Sequence, residues 1–244
     1  GIMPLRSFLK QKWIVKIRPE QTVINVDRDF LKKNKSYKNA QSLKNSESKY
    51  EVFFNLNKYS ILDLKNSGLK AKVKGNFIYK SENRQIIANL KSKFEGKGFL
   101  KLKFNTKLNQ DFLKLELFSR GLNLENSEYI FSGNKINVKK GIFKSNFKFK
   151  KSSFQTFCKG EFSFNNLKIK PENFTENIKS DSTRFFCMEN NLIGNSENFD
   201  YGTLTSNFNL NIPLNKSSNK IDLKGSIGYI DSLNPDIKFS GNIP

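Results

Sequence analysis

The chain has 244 residues with 43 lysines and arginines against 22 aspartates and glutamates, giving a formal net charge of +21, and it has no histidine. The lack of histidine removes the commonest general base and metal ligand, so histidine-dependent catalytic triads are excluded and an enzyme is not expected. Alternating runs rich in Phe, Ile, Leu and Val are typical of β-strands, not of a disordered chain.

Residues 1–49 predict short strands followed by a polar loop. Residues 13–27 favour two short strands around Pro19, because proline is tolerated at a turn or a strand edge. The run from Asp27 to Lys49 is rich in Lys, Asn and Ser, which predicts a loop or a short surface helix. The first residues do not resemble a natural start, so we expect an internal fragment of a longer protein.

Residues 50–170 predict a repetitive series of β-hairpins, and the stretch 141–151 shows the pattern. Its apolar positions are Phe143, Phe147 and Phe149, and its alternating lysines are Lys144, Lys148 and Lys150. Strict alternation indicates a strand with one apolar face shielded from water and one polar face in solvent. Because each such strand has only one apolar face, the sheet is expected to be mainly antiparallel and solvated on its back.

Glycines recur through this pattern at a spacing of about 20 residues, which is roughly one hairpin. They are Gly75, Gly98, Gly121, Gly141 and Gly160, followed by Gly202 and Gly225. A fixed period predicts a repetitive, elongated β architecture, and glycines on the apolar parity predict a curved sheet. The alternative is an ordinary β-sandwich with regularly spaced strands.

The alternation is interrupted at residues 171–201, which we interpret as a polar loop or insertion with Phe185 and Phe186 tucked back. Residues 202–244 continue the β repeat and end within it. Cys158 and Cys187 are too few for a metal site; they could pair in an oxidising compartment, or Cys158 could be a small buried residue. No stretch approaches 18 consecutive apolar residues, so no transmembrane helix is predicted.

The repeat pattern consists of alternating strands that begin with a glycine, and it includes the closing sequence "LKGSIGYIDSLNPDIKFSGNI". This pattern resembles the TamB family of AsmA-like bridge-forming proteins, particularly its cyanobacterial and plastid inner-envelope members. The resemblance covers roughly residues 50–244. It implies a long sheet folded into a U-shaped trough with an apolar interior, which serves phospholipid transfer or outer-membrane protein assembly. It also implies phospholipid acyl chains and an Omp85-type outer-membrane barrel as partners. The expected location is the periplasm or plastid intermembrane space, with an inner-membrane anchor outside this sequence.

No catalytic, cofactor-binding or metal-binding residues are predicted, and no cofactor is expected. The candidate groove lining consists of Leu69, Val73, Phe77, Tyr79, Leu100, Leu102, Phe104, Phe143, Phe147, Phe149, Phe162, Phe164, Leu204, Phe208, Leu210 and Ile212. For these residues, a closed core in which the side chains pack on each other is the competing interpretation.

Three other functions compete with a lipid groove. The charge suggests a polyanion-binding or nucleic-acid-binding β-protein, but aromatic residues and lysines alternate on opposite faces, so nucleic acid is not expected as a partner. A glycan hydrolase would use a carboxylate pair such as Asp27 and Asp29, or Asp231 and Asp236, although acidic residues in turns usually serve the turn. A surface repeat or adhesin would use the same strands around a closed core.

Overall fold

A computed structural model describes residues 2–4, 6, 12–19, 23–26, 49–64, 69–131, 134–153, 155–188, 190–214, 221–230 and 237–243. The chain forms two compact units, residues 1–115 and residues 116–244. The predicted loop between Asp27 and Lys49 and the four aspartates considered for hydrolysis lie outside the described residues, except for Lys49 itself. Among the described residues, no helix is long and apolar enough to cross a membrane.

The first unit is built from strands that pair with their neighbours in the chain. The strands are β1 (Trp13–Ile17), β2 (Val23–Val26), β3 (Tyr50–Leu64), β4 (Leu69–Lys80), β5 (Gln85–Phe94), β6 (Gly98–Lys107) and the start of β7 (Phe112–Asn123). β3 to β6 form antiparallel hairpins in sequence order. The short strands β1 and β2 both pair with β3 in parallel, which the alternation could not reveal because it carries no strand direction.

The second unit contains the end of β7 and the remaining strands. They are β8 (Ser127–Phe131), β9 (Asn134–Lys151), β10 (Thr156–Pro171), β11 (Ile178–Met188), β12 (Asn191–Tyr201), β13 (Leu204–Pro213), β14 (Ile221–Tyr229) and β15 (Ile237–Ile243). From β9 to β15 each strand is antiparallel to the next, and β8 pairs with β9.

The expectation of a polar loop or insertion at residues 171–201 is wrong. This segment forms β11 and β12, which pair with each other and with the strands on either side. The alternation is hidden because several positions on the apolar face carry Ser, Thr or Gly, which hydropathy does not distinguish from loop residues. The turn after Pro171 is irregular, as predicted, and Asn190 between β11 and β12 also lies in a turn.

Two glycines permit close backbone contact between neighbouring strands. Gly75 in β4 has φ +141°, and a Cβ there would lie 2.0 Å from the carbonyl oxygen of Asn89. Gly160 in β10 has φ +87°, and its Cβ would lie 2.0 Å from the carbonyl oxygen of Asn146. A side chain would therefore force the strands apart at these points, so both positions require glycine.

The predicted fold class, an all-β chain with an open, curved and mainly antiparallel sheet, is confirmed for the described residues. In each unit the strands other than β2 and β8 follow one linear order of paired neighbours, and β2 and β8 pair with β3 and β9 of that order, so the strands do not divide between two packed sheets. The β-sandwich alternative is therefore wrong for each unit. Successive residues of a regular strand point to opposite sides, so each unit presents two chemically different faces, and the alternation is interrupted only at register shifts such as those in β3, β10 and β12 among the described strands.

Candidate functional site: the apolar face of each unit

In the first unit, apolar residues from neighbouring strands form continuous cross-strand rows. Phe77 of β4 lies opposite Phe54 of β3 on one side and Ala88 of β5 on the other, and Ala88 is opposite Phe104 of β6. The next row contains Leu56, Gly75, Leu90 and Leu102. Directly opposed residues share a face, so these rows define the apolar face of the first unit.

Burial on this face is uneven. Val73 is 2% exposed and Ser60, its partner on β3, is fully buried, whereas Phe77 is 36% exposed. Leu100, Leu102 and Phe104 of β6 are half-buried. The face is thus fully buried around Val73 and Ser60 and partly exposed at Phe77 and along β6.

In the second unit the apolar face is dominated by phenylalanine rings. Phe143 lies opposite Phe164 with ring centroids 5.2 Å apart, and Phe147 meets Phe162 edge-on, also at 5.2 Å. Phe162 stacks on Phe185 with centroids 4.8 Å apart. Edge-on and stacked contacts of this kind stabilise aromatic clusters beyond the burial of their area. The rings therefore form one connected aromatic cluster across β9, β10 and β11.

Three hydroxyl groups lie within the apolar face of the second unit and satisfy one another. Ser180 Oγ is 2.9 Å from Thr183 Oγ1 and 3.2 Å from Ser196 Oγ, and Thr183 Oγ1 is 2.9 Å from Ser196 Oγ. Ser180 and Ser196 are each 2% exposed and Thr183 is 9% exposed. Buried hydroxyls without partners would be costly, so this triangle allows polar residues to occupy the face.

The opposite face of each unit is polar, and we call it the lysine face. In the first unit Lys74, Lys91 and Lys101 stand in one cross-strand row on β4, β5 and β6. In the second unit Lys148 lies opposite Lys159. These side chains are all exposed. The predicted alternation therefore holds for these rows, but the lysine face of the first unit also carries the apolar row of Phe53, Ile78 and Ile87.

The predicted lining residues are distributed over the two apolar faces as follows. The first unit brings together Val73, Phe77, Tyr79, Leu100, Leu102 and Phe104. The second unit brings together Phe143, Phe147, Phe149, Phe162, Phe164, Leu204, Phe208, Leu210 and Ile212. The backbone of Leu69 pairs with Leu64, and its side chain lies outside the described part of the chain.

Several residues of the apolar faces were not predicted. On β5 they are Ile86, Ala88, Leu90 and Phe94. Their alternation with Lys91 and Lys93 is visible in the sequence and could have identified them. On β11 and β12 they include Phe185 and Phe199, and Phe199 meets Phe208 edge-on at 5.4 Å. No sequence signal identified Phe185 and Phe199 as lining residues, because their neighbours on the face are serine, threonine and glycine.

Cys158 of β10 and Cys187 of β11 form a disulfide with Cα atoms 5.7 Å apart, which decides between the two alternatives left open by the sequence. Cys187 lies beside the cross-strand row of Phe147 and Gly160, at the end of the aromatic cluster. The disulfide therefore joins the two strands that carry the stacked rings. Among the described residues, no group of three His, Cys, Asp or Glu side chains is placed to hold a metal ion.

Comparisons of the sequence with known protein families and curated proteins, and of the chain with solved structures, found no match.

Proposed function

We propose that the apolar faces bind phospholipid acyl chains, and that the chain is a segment of a TamB-like bridge between an inner and an outer membrane. The observation that carries the proposal is the partial exposure of the large apolar side chains. Phe77 is 36% exposed, and Phe104, Phe143 and Phe162 remain half-buried although they stand in continuous apolar rows. A closed core would normally bury such rings fully.

The chemistry of these faces suits acyl chains. Each methylene group moved from water to an apolar surface contributes about 0.8 kcal/mol, so a chain lying along several rows gains substantial affinity without a specific polar contact. The ladder hydrogen bonds between neighbouring strands satisfy the backbone beside the lipid, which an apolar environment requires. Flat phenylalanine rings provide contact area without fixing one chain geometry.

The proposal also includes the location and the partners of the protein. The repeat pattern, which resembles that of the TamB family, supports transfer of phospholipid, or assistance to outer-membrane protein assembly, in the periplasm or plastid intermembrane space. An Omp85-type barrel would be the partner at the outer membrane, and an inner-membrane anchor would be supplied by another part of the full-length protein. The role is non-enzymatic, with acyl chains sliding along the apolar rows.

Photocrosslinking with matched positions tests the proposal. A photoreactive side chain replacing Phe104 or Phe143, which are both half-buried, is expected to crosslink to phospholipid during expression in a bacterium with two membranes. The controls are the same substitutions at Lys103 and Lys144, which are the adjacent residues on the same strands and point to the lysine face. Lipid recovered from the phenylalanine positions at several times the yield of the lysine positions would support acyl-chain binding.

Equal yields from both faces, or no lipid adduct at any position, would contradict the proposal. Adducts to protein from Phe104 and Phe143 without any lipid adduct would favour the closed surface repeat or adhesin. Mass spectrometry of the purified chain gives an independent measurement, since co-purified phospholipid should decrease when Phe104 and Phe143 are replaced by serine. The Lys103→Ser and Lys144→Ser variants should retain it.

A further inference from the structure

The lysine face of the first unit contains a depression that the acyl-chain proposal does not use. It has a volume of about 390 Å³, opens to solvent, and is lined by Lys74, Gly75 and Asn76 of β4, by Asn89 and Lys91 of β5, and by Leu56 and Asn57 of β3. Ligand sites in proteins commonly have volumes of about 300 to 1,000 Å³. The depression is therefore large enough for a small anionic group with its substituent.

An irregularity in β3 lies beside the depression. β3 advances from Leu56 to Ser60 while its partner β4 advances only from Gly75 to Val73, so β3 carries two extra residues at this point. Bulges of this kind interrupt the ladder and bend the strand away from its neighbour. The surface next to Gly75 is therefore recessed, and the lysines and asparagines of β4 and β5 stand around it.

The charge around the depression is unbalanced. Lys74 and Lys91 are directly opposed and both exposed, although like charges in this position destabilise a sheet. Lys91 is in turn opposite Lys101, and the adjacent row pairs Lys72 with Lys93. Neither Lys74 nor Lys91 forms an ion pair with a described carboxylate. A bound anion would remove this repulsion.

The neutral groups of the depression are also suited to an anion. Asn76 and Asn89 are directly opposed and exposed, in the row next to Lys74 and Lys91. An asparagine amide supplies two N–H donors, and a lysine ammonium supplies three. Two ammonium groups beside two amides can thus surround a tetrahedral oxyanion with donors, and lysine is a common phosphate ligand of this kind.

We propose that this depression binds a phosphate group, held between the ammonium groups of Lys74 and Lys91 and hydrogen-bonded by the amides of Asn76 and Asn89. The phosphate belongs either to a soluble phosphate compound or to a phospholipid headgroup. The four polar ligands of the site lie on the lysine face, whereas Leu56 and Gly75, which border the depression, belong to an apolar row.

The test uses three probes with the whole chain at physiological ionic strength. Inorganic phosphate is titrated by calorimetry and by NMR of the lysine and asparagine side chains, and vesicles of phosphatidylcholine with and without phosphatidylglycerol are tested by co-sedimentation. Saturable binding of inorganic phosphate identifies a soluble phosphate source, whereas binding only to the anionic vesicles identifies a headgroup. Either result supports the site if the affinity for the bound probe falls on replacement of Lys74 and Lys91 and stays nearly unchanged in a matched lysine variant.

The double variant Lys74→Gln/Lys91→Gln should lower the affinity for the bound probe by at least about tenfold, because two charge-assisted contacts are lost. The matched control is Lys148→Gln/Lys159→Gln, another directly opposed pair of exposed lysines on a lysine face, with the same change in net charge. It should change the affinity by less than about threefold. Both variants should remain folded, since the replaced side chains are exposed, and circular dichroism checks this.

An equal loss in the two double variants would overturn the proposal, because the binding would then follow net charge alone. Absence of binding to every probe would also overturn it. Inorganic phosphate has no acyl chain, so its result is separate from the crosslinking result. Either proposal can therefore fail while the other stands.

Discussion

Phe162 of β10 lies directly opposite Phe185 of β11, and their rings stack with centroids 4.8 Å apart and planes inclined by 16°. Phe147 of β9 meets Phe162 edge-on at 5.2 Å, so the stacked pair is the centre of a larger aromatic cluster. The disulfide between Cys158 and Cys187 joins the same two strands. Ring stacking, ladder hydrogen bonds and a covalent link thus hold β10 and β11 together.

The stacked pair should contribute a measurable coupling energy. Phe162→Ala and Phe185→Ala are each expected to lower the free energy of unfolding by about 1–3 kcal/mol, less than for fully buried rings because both are half-buried. A double-mutant cycle by chemical denaturation should give a coupling of about 0.5–1.5 kcal/mol. Phe157→Ala, at a 43% exposed ring, is the control and should change stability by less than about 0.5 kcal/mol. A coupling energy near zero would mean that the stacking does not contribute.

Gly160→Ala should be strongly destabilising, because the added Cβ would lie 2.0 Å from the carbonyl oxygen of Asn146 in a backbone conformation with φ +87°. A loss of about 3 kcal/mol or more, or failure to fold, is expected. Gly241→Ala is the control, since a Cβ there meets nothing within 4 Å, and it should cost less than about 0.5 kcal/mol. Thermal and denaturant unfolding measure both, and similar stabilities would show that β9 and β10 tolerate separation.

Removing the disulfide should weaken the second unit. Cys158 and Cys187 are separated by 29 residues in the sequence, and closing a loop of that size stabilises a fold by about 2–4 kcal/mol. Denaturant unfolding of the Cys158→Ser/Cys187→Ser variant should show this loss. Reductant should lower the stability of the wild-type chain to that of the variant and leave the variant unchanged. If reductant has no effect on the wild-type chain, the cross-link does not stabilise the unit.

The carboxylate of Glu51 in the first unit is 5% exposed and accepts a hydrogen bond from Lys12 Nζ at 2.6 Å, with Lys80 Nζ at 3.7 Å. Glu51→Gln should lower the free energy of unfolding by about 1–3 kcal/mol, because Lys12, only 16% exposed, then keeps only the carboxylate of Glu82, at 3.9 Å, as a counter-charge. Glu161→Gln is the matched control.

Glu161 pairs with Arg184, and both side chains are about half exposed, at 48% and 56%. Solvent screens such a pair, so its loss should cost only about 0–1 kcal/mol. Urea unfolding of the two variants compares the pairs directly. Equal losses of unfolding free energy would mean that burial does not make the ion pairs of Glu51 more stabilising than the exposed pair of Glu161 and Arg184.

The division of each strand into two faces could be predicted residue by residue. Phe143, Phe147 and Phe149 share one face and Lys144 and Lys148 the other, as the alternation requires, because the side-chain period of a strand is two whatever it pairs with. The same rule placed Phe77 and Phe104 on one face of the first unit. For β11 and β12 the rule failed, because Ser180, Thr183 and Ser196 occupy apolar-face positions without being apolar.

The sequence by itself determined the all-β class, the two-faced strands and the positions of most large apolar side chains, since these follow from local alternation. Only the tertiary structure decided the parallel pairing of β1 and β2 with β3, the bulge beside Gly75 and the Cys158 to Cys187 bond. It also decided that three hydroxyls could be buried together. These features depend on which residues meet across strands, and a polar or charged side chain acquires its partner, or lacks one, only when the strands are paired.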